Sequence, residues 1–182
     1  MGYLSENTFS LAEELKISVY KVCPESPGDI PAIEVLVTAA FGGPAESKLI
    51  ALIRQRKESL TSLVANDGDI VVGHVLMSSI TLDGPGKFGG IAPLAVAPAH
   101  QKSGVGSLLM NQLLLTTRDE GFDALFLLGD PAYYARFGFI PSHINSEYGA
   151  DDAFQHLELR PGCLAGDRGT ARYVSAFAEG DV

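Results

Sequence analysis

Strict alternation marks the first readable element. Leu15, Ile17 and Val19 share one side and Lys16, Ser18 and Tyr20 the other, which predicts a strand over Glu14 to Val22. Pro24 to Gly28 is a turn, and Asp29 caps a helix whose inward stripe is Ile33, Leu36, Val37 and Ala40. Phe41 to Pro44 interrupts it. A second helix is predicted over Glu46 to Leu60, with Leu49, Leu52, Ile53 and Leu60 inward and Arg54, Arg56 and Lys57 toward water. Leu63 to Ala65 and Ile70 to Thr81 flank Asn66–Gly68 as arms of a hairpin. In the longer arm both alternating sets are rich in apolar residues, as a strand covered on both faces requires.

Asp83 to Gly90 reads as a flexible loop, Ile91 to Val96 as a strand, His100 to Ser103 as a polar turn. Val105 to about Glu120 is a long helix with a stripe of Leu108, Leu109, Gln112, Leu115 and Thr116, widened by Leu113 and Leu114. Gly121 ends it. Ala124 to Leu128 is an apolar strand, and the helix before it makes it parallel to its predecessor. Asp130 and Pro131 start a short helix that Gly138 stops, and Phe139 leads into another strand. Ile144 to Asp152 is a loop, Phe154 to Leu159 a strand, Leu164 to Gly169 a turn and Arg172 to Phe177 a weaker strand. The order β-α-α-β-β-β-α-β-α-β-β, without repeat or linker, predicts one α+β domain over residues 1–182, with 1–12 as a loose tail.

Composition narrows the function classes. The chain is 46% hydrophobic and 19% charged, in the range of a globular domain with a real core. A net charge of −9 and no basic stripe argue against nucleic acid and fit a cationic acceptor slightly better. Cys23 and Cys163 lie far apart and form no metal-spaced cluster, so two free thiols in a reducing compartment are expected. The four histidines show no metal-ligand spacing, so no metal site is expected. No stretch is long enough to span a bilayer, and residues 1–10 lack a basic start followed by an apolar block. A soluble cytoplasmic protein without a membrane partner is the expectation.

The candidate chemistry lies between Gly89 and Gly121. Gly104 and Gly106 remove side chains where the helix at Val105 begins, so its free N–H groups are open to a ligand. Such a helix start, with its dipole, suits an anion, and a phosphate-bearing ligand is inferred. The segment has no Gly-x-x-x-x-Gly-Lys-Ser/Thr, which excludes a nucleotide P-loop, and its glycine spacing is wrong for a dinucleotide fingerprint.

Two motifs carry a resemblance. Gln101-Lys102-Ser103-Gly104-Val105-Gly106 is similar to the pyrophosphate signature of the GNAT superfamily of acyl-CoA-dependent N-acetyltransferases. Tyr134-Ala135-Arg136-Phe137-Gly138-Phe139 matches its second signature, a Tyr four residues before Gly-Phe. Residues 129–139, Gly-Asp-Pro-Ala-Tyr-Tyr-Ala-Arg-Phe-Gly-Phe, most resemble the YhbS-like subgroup. The resemblance implies a mixed, twisted sheet with helices on both faces. It implies acetyl-CoA as cosubstrate, splayed between the strands at 91–97 and 124–129. Leu94, Ala95 and Val96 would pair with pantetheine, and the amides of Gln101, Lys102, Ser103, Gly104, Val105 and Gly106 would hold the diphosphate.

Acetyl transfer by direct attack then needs alignment, an oxyanion donor and an acid for the leaving thiolate. Tyr134 is the candidate acid, with packing against pantetheine as its other reading; Tyr133 could take that role or line the acceptor pocket. Asp130 is a helix cap, or holds a water or helps deprotonate the acceptor; Arg136 pairs with an acid on the surface, with a CoA contact as its lesser reading. The base is open among Glu34, His74, His100, His143 and a water chain. The loops at 41–46, 83–90 and 143–152 are expected to shape the acceptor side. The acceptor is an amine-bearing small molecule or peptide, and a homodimer is one option for assembly. The rival readings are a non-catalytic acyl-CoA-binding module and an acyltransferase using a longer acyl donor.

Overall fold

The computed structural model describes residues 20–149, 151–166 and 168–179. Most of the strand expected over Glu14 to Val22, and the tail at 1–12, lie outside those residues. The first strand seen is β1, Lys21–Pro24. It is followed by helices α1 (Ile30–Phe41) and α2 (Ala45–Arg56) and strands β2 (Ser59–Asp67), β3 (Ile70–Ile80) and β4 (Phe88–Val96). Then come α3 (Val105–Asp119), β5 (Ala124–Leu128), α4 (Pro131–Tyr134), β6 (Ile140–Pro141), β7 (Asn145–Ser146), β8 (Phe154–Glu158), β9 (Thr170–Ala171) and α5 (Ala176–Glu179).

Seven strands form one mixed sheet in the order β1-β2-β3-β4-β5-β8-β6, while β7 and β9 pair separately. All neighbours in the large sheet are antiparallel except β4 and β5, which run parallel with α3 as crossover. One face carries α1 and α2, packed through Ile33, Leu36, Leu49, Ile50 and Ile53 onto Val64, Leu76 and Ala95. The other carries α3, packed through Val105, Leu109, Met110 and Leu113 onto Val75, Met77, Ile91 and Leu125. Leu109, Met110 and Leu113 are wholly buried, and each such side chain contributes roughly 1.5–3 kcal/mol.

Four expectations are corrected by packing. The inward stripe of α3 is Val105, Leu109, Met110, Leu113, Leu114 and Thr117, leaving Leu108 and Leu115 exposed. Gly73 sets this rotation: a Cβ there would lie 2.6 Å from Val105 Cγ1 and 2.9 Å from Leu109 Cδ1, so its bare backbone admits both. Second, α2 ends at Arg56 because Lys57 turns left-handed (φ 57°) and its N–H reaches back to the carbonyls of Ile53 and Arg54; Leu60 is an exposed residue of β2.

Third, Phe88, Gly89 and Gly90 belong to β4, paired with Ile80, Ser79 and Ser78. The two glycines admit close neighbours there, for a Cβ would lie 2.5 Å from Met77 Sδ at Gly89 and 2.9 Å from Ile80 Cγ1 at Gly90. Fourth, Arg172 to Phe177 is not a strand. Arg172 forms one bridge with Thr81, and the chain then enters α5. Within the expected 144–152 loop, Asn145–Ser146 pairs in parallel with Thr170–Ala171.

Candidate active site

The site begins where two strands part. The β4–β5 ladder runs from Phe88↔Ala124 to Ile91↔Leu127 and stops, although β4 continues to Val96. Pro93 has no N–H to donate, and the extra residue that β4 carries between its pairings with Val75 and Met77 bends the strand. Beyond Ile91, β4 keeps β3 on one edge and turns the other toward a cleft of about 960 Å³.

At the Val96 end of the cleft stands the start of α3. Lys102 (φ 61°) and Gly104 (φ 94°) are both left-handed, and no side chain caps the helix. Alternating handedness turns successive amides to one side, a geometry that accepts anions. The turn is pinned from behind: Ser103 Oγ donates to His100 O at 2.5 Å and accepts from Tyr20 Oη at 3.2 Å.

The residues expected to bind the cosubstrate divide. Leu94, Val96, Gln101, Lys102, Gly104 and Gly106 line the cleft. Ala95 points instead into the core under α1 and α2, Val105 into the core under α3, and the Ser103 hydroxyl into the turn. From these three only backbone groups can reach a ligand. The Val96 carbonyl accepts from Gln101 Nε2 at 3.3 Å, and the Gln101 N–H points to Pro98 O at 3.4 Å.

The opposite wall is α4. Asp130 caps it, accepting from Ala132 N at 2.9 Å. Tyr133 and Tyr134 both line the cleft, their rings edge to face with centroids 4.9 Å apart. Tyr134 packs over Gly129 and against Phe139, and among the described residues its hydroxyl has no hydrogen-bond partner. Burial, reinforced by Tyr133 and Asp130, pushes its phenol up to about 12. Tyr133 reaches across to the first turn of α3, beside Gly106 and Ser107. Burial raises its phenol too, against the opposing pull of Ser107 and Arg136. The Arg136 guanidinium lies 4.6 Å from the Tyr133 ring centre and donates to Tyr133 O at 2.9 Å.

Of the side chains considered for deprotonating the acceptor, only Asp130 lines the cleft, and it is engaged as the cap of α4. His74 is wholly buried beside Glu25 and Ser62, His100 backs the turn near Tyr20, and His143 stands against His156. Glu34 is an exposed residue of α1. The acid that does line the cleft, beside Asp130, is Glu46 in the first turn of α2. It reads in the sequence only as the start of a helix.

The inner wall is completed by Phe41, Tyr148, Tyr173 and Phe177. Two of the expected loops, 41–46 and 143–152, thus reach the cleft, and 83–90 does not. Tyr173 and Phe177 carried no signal, since nothing local in 172–177 records that Tyr173 lies on Gly90 of β4. Among the described residues no helix is long and apolar enough to cross a membrane, and no group of His, Cys, Asp and Glu could hold a metal ion.

A mixed sheet that parts between two parallel strands, with an uncapped helix start at its mouth and helices on both faces, places the chain in the mixed α/β class. The chain belongs to the acetyltransferase (GNAT) family, whose model matches residues 30–139. It is 33% identical over 159 residues to YhbS of Escherichia coli K12, described as an uncharacterized N-acetyltransferase, a match spanning 84% of this chain and 95% of that one. The crystal structure of E. coli YhbS in complex with CoA superposes with a TM-score of 0.83 at 32% identity, over 87% of this chain and 92% of that one. A GNAT family acetyltransferase from Brucella melitensis, in complex with acetyl-CoA, gives 0.75 at 30% identity, over 88% and 99%.

Proposed function

We propose that this chain transfers an acetyl group from acetyl-CoA to a primary amine by direct attack. The observation that carries the reading is the parting of β4 from β5 after Ile91, with the uncapped start of α3 at one end and Tyr134 on the facing wall. The first-turn amides of α3, with Lys102 at the rim, hold the diphosphate. The unpaired edge of β4 at Leu94 to Val96 pairs with the pantetheine amides, and an N–H of that edge holds the oxyanion.

The acceptor nitrogen attacks the thioester carbon, the C–N bond forms and the C–S bond breaks. The ammonium first sheds one proton to become the attacking amine; after attack Tyr134 gives its proton to the departing sulfur and is reprotonated by the second proton, which the nitrogen loses as the amide forms. A phenol held near 12 is protonated at every working pH, as this role requires. Tyr133, turned toward α3, fits the cosubstrate seat better than the acid role. An open cleft with walls beyond the thioester position supports an enzyme over a binding module, whose acceptor side would be closed.

The experiment is an amine screen that follows release of free CoA thiol, with calorimetry of acetyl-CoA binding beside it. Binding in the micromolar range and amine-dependent thiol release are expected. An absence of binding at millimolar acetyl-CoA overturns the reading.

A further inference from the structure

The cleft has two chemically distinct ends. Lys102 and Arg136 line it with Gln101, Gly104 and Gly106 at the Val96 end. Toward Gly90, six residues back along β4 and so roughly 20 Å away, it is walled by aromatic rings. A Cβ on Gly90 would lie 3.1 Å from Tyr173 Cε1, which places that ring directly on the strand where the β4–β5 ladder ends. Tyr173 packs on Phe177 with centroids 4.8 Å apart, and Tyr148 packs on Tyr173 at 5.6 Å. Tyr173 is itself fixed by its N–H, which donates to Glu147 Oε1 at 2.5 Å. Its hydroxyl is buried and has no hydrogen-bond partner among the described residues. A buried hydroxyl left unpaired is costly, and the ring that carries it lines the cleft.

One acid faces this aromatic end without commitment. Glu46 makes no hydrogen bond or ion pair among the described residues and stands with Phe41 on the helix side of the cleft. Asp130, the other acid lining the cleft, already caps α4.

On the reading that the cleft is an acetyl-transfer site, we propose that Glu46 and the wall of Phe41, Tyr148, Tyr173 and Phe177 form the acceptor subsite for a single primary ammonium carried on an aromatic or alkyl body, with Glu46 taking the proton the nitrogen must lose. A carboxylate draws the ammonium in, and the rings cover its apolar body and stabilise the cation through their faces. Glu46 lines the cleft from the first turn of α2, placed to accept the proton that the ammonium sheds before the nitrogen attacks. Glu46 is half-exposed, so it returns the proton to solvent. A polyamine or aminoglycoside would bring further ammonium groups against aromatic rings, with no second uncommitted carboxylate lining the cleft among the described residues, and desolvating them unpaired is unfavourable.

The test compares 2-phenylethylamine and n-hexylamine with spermidine and kanamycin, following free thiol in the parent protein and in Glu46→Gln. Calorimetry of acetyl-CoA binding accompanies both. The monoamines should exceed the polycations in kcat/KM by tenfold or more. E46Q should lose tenfold or more with the monoamines at pH 7, with acetyl-CoA affinity unchanged. The loss should shrink toward pH 10, where the free amine is already largely neutral. Phe177→Ala should raise KM for 2-phenylethylamine with little change in kcat. Preference for the polycations, no turnover of either monoamine, or E46Q matching the parent at pH 7 overturns the inference, while intact acetyl-CoA binding in those cases leaves the cosubstrate seat standing. Loss of that binding in the parent removes the underlying reading instead.

Discussion

The hydroxyl of Tyr133 stands where a side chain at residue 106 would begin: a Cβ built on Gly106 lies 2.5 Å from that oxygen and 3.6 Å from the ring carbon bearing it. The second glycine of the turn therefore makes room for a tyrosine from the facing wall, and the Gln101–Gly106 signature meets the 129–139 segment at this contact. Gly104 has a different reason. A Cβ there meets nothing within 4 Å, but its φ of 94° is one that other residues adopt only under strain.

That difference gives the first prediction. Gly106→Ala should force Tyr133 aside and weaken acetyl-CoA binding about tenfold. In a Tyr133→Phe background the offending oxygen is gone and the remaining contact is an ordinary one, so the same substitution should cost much less. Calorimetry on the four proteins of this cycle measures the coupling, expected at about 1–2 kcal/mol. Additive effects would mean that Tyr133 does not hold this position in solution.

Tyr134 supports a second prediction. Tyr134→Phe should slow turnover at least tenfold while acetyl-CoA affinity stays within about twofold, because the ring and its packing on Gly129 and Phe139 are kept. With the phenol held near 12 by burial, the parent's kcat should show no alkaline fall from this group between pH 7 and 10. A fall centred in that range and absent from the variant would contradict the buried, protonated acid.

The sequence made the fold and the cosubstrate end legible for physical reasons. Helical periods mark α1 and the start of α2, Gly104 and Gly106 mark the helix start, and Tyr134 with Gly138-Phe139 marks the wall, all as local chemistry. What stayed hidden is non-local. The rotation of α3 depends on Gly73 of a different strand, since apolar residues run nearly around that helix. The aromatic end of the cleft is assembled with Glu46 from Phe41, Tyr148, Tyr173 and Phe177, which share no period or motif. Gly89 and Gly90 read as a loop because the residues they admit, Met77 and Ile80, sit on a neighbouring strand.

Gly73 yields the third prediction. A methyl there would lie 2.6 Å from Val105 Cγ1, in a core where neither partner is exposed enough to yield freely. Gly73→Ala should destabilise the fold by about 1–3 kcal/mol. It should also weaken acetyl-CoA binding, because Val105 opens the helix proposed to hold the diphosphate. Combined with Val105→Ala, the stability loss should be smaller than the sum of the two single losses; denaturant unfolding of the three variants checks this.

The last prediction concerns the buried polar cluster under the sheet edge. Glu25 accepts from Arg54 Nη2 at 2.8 Å and from Ser62 Oγ, and His74 Nε2 lies 3.2 Å from its Oε2 and 2.9 Å from Ser62 Oγ. Burial alone would raise the Glu25 carboxyl, but the hydrogen bonds from His74, Arg54 and Ser62 outweigh it and hold the group at about 2. The unfolded chain therefore takes up this proton first on acidification. The stabilisation, roughly 2–3 kcal/mol, is complete above pH about 4.5 and is lost as pH falls from there toward about 2. His74 acts in the same direction at higher pH. Burial holds its imidazole below the usual 6.5 despite Glu25, so stability begins to decline as pH drops through that value. Glu25→Gln should lower the unfolding midpoint at pH 7 and flatten its fall between pH 4.5 and 2.5, so the gap between variant and parent narrows with acid. Thermal unfolding followed across that range decides it; a gap that stays constant would show that Glu25 contributes packing rather than charge.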